Sequence, residues 1–184
     1  MPDLKYFCRR NYFKSLLLDT KKYKELYTTS EGKSAGLCAI VFTYLISTLS
    51  QNICGLEMIN LLKSVFGILI SGMMGLLGFL VTGLAMTESI ITKKAVRNID
   101  AAGKTKSLAG ILFSFYFEGA IVAFDIITMI FLYILLTFSV NIPYVALIIL
   151  TGIISYFVIF AILYAVALLG SCINFFFVSI LYDE

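Results

Sequence analysis

Residues 108–138 read LAGILFSFYFEGAIVAFDIITMIFLYILLTF, and Glu118 and Asp125 carry all of the charge in that stretch. A run this long and apolar exceeds the ~20 residues that cross a hydrocarbon core of ~30 Å. It therefore predicts a membrane-spanning helix rather than the core helix of a soluble domain. A carboxylate at the centre of such a helix costs roughly 3 kcal/mol on insertion scales. A sequence keeps one there when it faces protein, water or a partner. Glu118 and Asp125 are seven residues apart, two helical turns, and so share a face with Ser107, Ser114 and Thr128.

Working outward, three more apolar stretches occur at about 34–54, 64–87 and 144–182 in a chain of 184 residues that is 60% hydrophobic. Each is near or above spanning length. Together they predict an all-α, polytopic membrane protein with four transmembrane helices. Residues 1–33 are polar and basic, and the first apolar run comes too late for the hydrophobic part of a cleavable signal peptide. The first span is therefore expected to be retained.

Charge sets the expected topology. Lys5, Arg9, Arg10, Lys14, Lys21, Lys22, Lys24 and Lys33 precede the first span; Lys93, Lys94, Arg97, Lys104 and Lys106 lie between spans two and three; Lys63 alone is left, assigned to the first loop, and the chain holds 14 such residues. Positive residues favour the cytoplasmic side. The N-terminus, the second loop and the C-terminus are then cytoplasmic. The outward loops are short, which argues against an extracellular receptor or adhesin. Pro143, in Asn141-Ile142-Pro143, blocks helix continuation and starts the fourth span, so spans three and four should pack antiparallel.

The helices predicted here outrun the bilayer. A helix from Lys104 to Phe138 is about 50 Å long at 1.5 Å per residue. Counting back about 20 residues from its outer end puts the inner boundary near Glu118. By that count Asp125 is the deep, costly acid and Glu118 is interfacial. Spans two to four are expected to continue into the cytoplasm, with a helical hairpin at about 88–118 turning at Ala101-Ala102-Gly103 and stacking on the fourth helix. Its basic tip, Lys93, Lys94, Arg97, Lys104 and Lys106, is a candidate docking surface. Phe175, Phe176 and Phe177 project beside it, and exposed aromatics of that kind call for a partner.

Two readings of the acid stripe stand side by side: a hydrated, proton- or ion-sensitive path, or an interhelical hydrogen-bond anchor. Gly67, Ser71, Gly75 and Gly78 place small residues on the second span, where they let helix backbones approach closely. The partner is another span or, as the favoured reading, a second copy. Thr43, Ser47 and Ser50 give the first span a polar side, read mainly as hydroxyls satisfied on their own backbone. Lys5, Arg9, Arg10 and Lys14 alternate with aromatics in a segment expected to lie on anionic lipid at the inner leaflet; a basic arm for nucleic acid is the rival reading. Cys8, Cys38, Cys54 and Cys172 show no paired spacing and are expected as free thiols. Histidine is absent from the sequence, and no phosphate loop, zinc-protease or nucleophile-elbow motif occurs. No enzyme activity, metal or cofactor is expected.

The run Gly75-Leu-Leu-Gly78-Phe79-Leu-Val-Thr-Gly83-Leu-Ala85, followed by a basic loop, Gly103 and Leu108-Ala-Gly-Ile-Leu-Phe-Ser-Phe115, resembles the four-span KwaA membrane subunits of bacterial Kiwa anti-phage defence systems. The similarity covers mainly 67–125. It implies a homo-oligomer, a tetramer among the options, in the bacterial inner membrane. Such a subunit senses phage-induced membrane disturbance and recruits a cytoplasmic DNA-binding effector of the KwaB kind, without binding nucleic acid itself. No functional residues carry over from the resemblance. The alternative is an oligomeric ion channel or pore, drawn from Glu118, Asp125 and the glycine-rich second span. A small transporter ranks last, because the two halves show no repeat.

Overall fold

The computed structural model describes residues 17, 21–52, 55–90, 105–138 and 143–183, and within them the fold is all-helical. A 3-10 turn at Lys22–Lys24 leads into a single helical turn, α1 (Glu25–Thr28), and then α2 (Ser30–Asn52), α3 (Gly55–Ile90), α4 (Thr105–Thr137) and α5 (Tyr144–Asp183). These last four are long and apolar enough to cross a membrane, over Ser30–Leu49, Glu57–Ser89, Gly110–Thr137 and Val145–Asn174.

α3, α4 and α5 pack mutually, and α2 lies along α5. α4 is the most enclosed helix. Its inner face follows the 3–4 residue spacing of one helical side: Phe117, Ile121, Val122, Ile126, Met129, Leu132 and Leu136 are buried. Its other side leaves Tyr116, Phe124, Ile127 and Phe131 exposed, as a lipid-facing surface would. The heavy apolar character all round is what a helix between protein and lipid requires, since both neighbours are apolar.

α3 begins earlier than the sequence reading expected. Lys63 falls inside the helix, not in a loop, because Met58, Leu62, Phe66 and Met73 already form one buried stripe against α4. The small residues on α3 behave differently. A Cβ added at Gly67, Gly75 or Gly78 would meet nothing within 4 Å, and Ser71 is exposed. This face is turned away from the other described helices. Gly83 is the contrasting case: its Cβ position lies 3.1 Å from the Phe115 ring on α4.

α2 meets α5 antiparallel and close. A Cβ on Gly152 would lie 2.9 Å from Thr43 Oγ1, so a side chain there would force the helices apart. Most hydroxyls in the long helices donate to the carbonyl one turn back, as in Thr43 to Ala39, Ser71 to Gly67, Thr128 to Phe124 and Thr151 to Leu147. That explains how so many polar side chains fit apolar helices: each consumes its own donor. Cys38 and Cys172 are free thiols, as expected.

Candidate functional site: buried carboxylates beneath a polar clasp

The carboxylates of α4 have no such remedy. An ionised carboxylate only accepts hydrogen bonds, and the backbone N–H groups of a helix interior are already used. Glu118 is 0% exposed and Asp125 is 1% exposed. Neither Glu118 oxygen, nor Asp125 Oδ2, has a hydrogen-bond partner among the described residues. Both side chains sit on the enclosed face of α4, beside Ile121, Val122 and Met129. The sequence reading ranked Glu118 as the cheap, interfacial acid. In the structure the two acids are equally enclosed, because helical face rather than depth alone decides what surrounds them. Thr128, placed in the same stripe by spacing, is half-buried and satisfied by Phe124 O at 2.9 Å. Ser114 is buried on the acid face and donates to Gly110 O at 2.8 Å.

One end of the bundle closes over this face through residues that sequence reasoning did not single out. On α5, Tyr156, Phe160 and Tyr164 stack at four-residue spacing, with ring centroids 6.3 and 5.3 Å apart. Phe117 of α4 meets Tyr164 edge-on at 6.4 Å. This ladder presents two phenols to the N-terminal segment. Tyr156 donates to Leu26 O. Tyr164 donates to Glu25 Oε2 at 2.6 Å, and Lys22 Nζ holds the other carboxylate oxygen at 2.7 Å. Lys22 Nζ also reaches Tyr164 at 3.5 Å.

The segment is shaped locally for this contact. Thr29 caps α2: its hydroxyl donates to Glu25 O at 2.6 Å and accepts from Gly32 N at 3.2 Å. Such a cap satisfies an otherwise free backbone donor. Gly32 is buried against Leu26, whose carbonyl occupies the place a Cβ would need. Only glycine allows the chain to fold back there. A cavity of 380 Å³ with a mixed lining remains between the clasp, α4 and α5, bordered by Lys22, Glu25, Ser114 and Tyr164 as well as Ile111 and Leu168. A second groove of 640 Å³ lies between α2 and α5 and is lined mainly by apolar side chains, including Ile40, Tyr44, Ile149 and Ile153.

The other sequence-predicted sites fall elsewhere. Lys5, Arg9, Arg10, Lys14, Lys93, Lys94, Arg97 and Lys104 lie outside the described residues, as does the hairpin turn; Lys106 falls in the first turn of α4. No cluster of three or more metal-ligating side chains occurs among the described residues. The architecture defines a class: described residues that are all-helical, with four helices fit to cross a membrane, enclosing two buried acids. Searches of protein-family models, curated proteins and solved structures found no match to this chain.

Proposed function

We propose that this chain is a multi-pass membrane protein that assembles with copies of itself and acts as a scaffold for a soluble partner at the side where its termini lie. The observation that carries this is helix length against bilayer thickness. α5 has 40 residues, about 60 Å at 1.5 Å per residue, against a hydrocarbon core of ~30 Å. Its apolar span ends at Asn174, and Phe176 and Phe177 are exposed beyond it. Placing that end in the cytoplasm follows the positive-inside pattern. The small-residue face of α3, unoccupied by the described residues, is the surface for self-association. The bacterial inner membrane and a DNA-binding effector partner rest on the resemblance carried by 67–125 alone.

Purification in mild detergent from the native genetic context, with mass photometry and identification of bound proteins, tests this. A stoichiometric soluble partner is expected, lost in a Lys93→Glu, Lys94→Glu, Arg97→Glu triple variant that keeps the oligomer mass. A homo-oligomer that never carries a partner contradicts the scaffold role.

A second reading, an oligomeric ion-conducting protein, draws on the buried carboxylates of Glu118 and Asp125. It expects ion flux in proteoliposomes that changes with Asp125→Asn. Absence of flux from the wild-type protein excludes it.

A further inference from the structure

We propose that the clasp between the N-terminal segment and α5 is the mouth of a proton path that runs from Glu25 through Tyr164 and Ser114 to Glu118. This goes beyond the scaffold role and does not depend on it.

Three independent features converge. The first is a cavity at the bundle end into which Glu25, Tyr164 and Ser114 bring polar groups. The second is a set of exchangeable groups placed between that cavity and the enclosed acid. Glu25 is half-buried and hydrogen-bonded to the Tyr164 hydroxyl at 2.6 Å. Ser114 borders the same cavity as that hydroxyl. Glu118 is one turn beyond Ser114 on the same face of α4, and Asp125 two turns further. The third is the unsatisfied chemistry at the inner end: both oxygens of Glu118 and Oδ2 of Asp125, enclosed and without a donor. A purely structural anchor would have found its hydrogen bonds, as the helix hydroxyls have.

The transfer balances without a co-reactant. A proton taken up on the Glu25 carboxylate passes to Tyr164 Oη while Tyr164 gives its own proton to Ser114 Oγ. Ser114 releases its proton to a Glu118 oxygen, which requires its hydroxyl to leave Gly110 O and the Glu118 side chain to turn toward it. The two hydroxyls then reverse to reset the path. Other charged groups around the path are Lys22, paired to Glu25, and Glu31, which borders the cavity and accepts from Ser30 Oγ at 3.0 Å. The buried residues that α3 contributes, Met58, Leu62, Phe66, Met73, Leu80 and Thr87, include no titratable side chain.

Infrared spectroscopy of the full chain in nanodiscs tests the path. The readout is the rate at which a protonated-carboxyl stretch shifts after transfer into heavy water. Glu118→Gln should delete that band and so assign it. Tyr164→Phe keeps the ring stack and removes only the relay hydroxyl, and should slow the shift by at least about tenfold, in the range expected for loss of a proton-transfer group. Tyr133→Phe removes an exposed hydroxyl of α4 that lies outside the clasp, and should leave the rate unchanged. The proposal is overturned if no band is removed by Glu118→Gln, if Tyr164→Phe leaves the shift as fast as wild type or faster, or if Tyr133→Phe slows it equally.

Discussion

α3 and α4 have similar composition and opposite roles. Both are long, apolar and interrupted by small or polar residues. Yet 39% of the apolar stretch of α4 is buried within the chain, against 17% of that of α3. α4 turns its acids inward, with Phe113, Phe115 and Phe117, and leaves Tyr116, Phe124 and Phe131 outward. α3 turns a stripe of buried Met, Leu and Phe inward and Gly67, Gly75 and Gly78 outward. The lesson concerns what decides orientation when lipid and protein are both apolar. Hydrophobicity no longer sorts the faces; polarity that cannot be satisfied locally, and close packing, do so instead. Serine and threonine satisfy themselves and are found on either face. Glutamate and aspartate cannot, and they go inside.

Substitutions sharpen that contrast, beginning with the largest effect. Phe160 is 0% exposed and stacked between Tyr156 and Tyr164. Phe160→Ala should destabilise the monomer by about 3 kcal/mol, the usual cost of emptying a large aromatic site. Unfolding in mixed micelles measures it, and a loss no greater than that of an exposed control such as Phe124→Ala would show that the α5 ladder is not a core.

Glycine positions give the next test. Gly152→Leu should cost about 1–3 kcal/mol by overpacking against Thr43, whereas Gly75→Leu should leave monomer stability unchanged while weakening self-association. Equal effects on the monomer would erase the distinction between the inner and outer glycines.

The cap is smaller. Thr29→Ala should lower stability by about 1 kcal/mol and loosen the Glu25–Tyr164 contact, read as faster amide exchange at Gly32. Smaller still, Lys22→Met removes a partly exposed ion pair, for which a change within about 1 kcal/mol is expected. A much larger loss would mean that Lys22 orders the whole clasp.

Much of this arrangement was legible in the sequence, and the exceptions have physical causes. The four helices were readable because apolar runs above spanning length have few alternatives. Their starts were less so: Glu57 and Lys63 look like loop residues until Met58, Leu62 and Phe66 are seen to form one stripe. The shared face of Glu118 and Asp125 followed from seven-residue spacing. Their equal burial did not, because counting residues from a membrane boundary gives depth and says nothing of which helix covers which face. The clasp was invisible, since Lys22 and Glu25 meet Tyr164 across most of the chain length and nothing local marks the pairing. Thr29 and Gly32 were its one readable trace, a cap residue three before a glycine, just ahead of the first span.

The most direct measurement is disulfide cross-linking in native membranes, in a background where Cys8, Cys38, Cys54 and Cys172 are replaced by serine or alanine. Gly75→Cys on the outer face of α3 should give a covalent dimer on mild oxidation, and Val122→Cys on the enclosed face of α4 should give none. A dimer through Val122→Cys, or none through Gly75→Cys, would contradict the assignment of inner and outer faces on which the account rests.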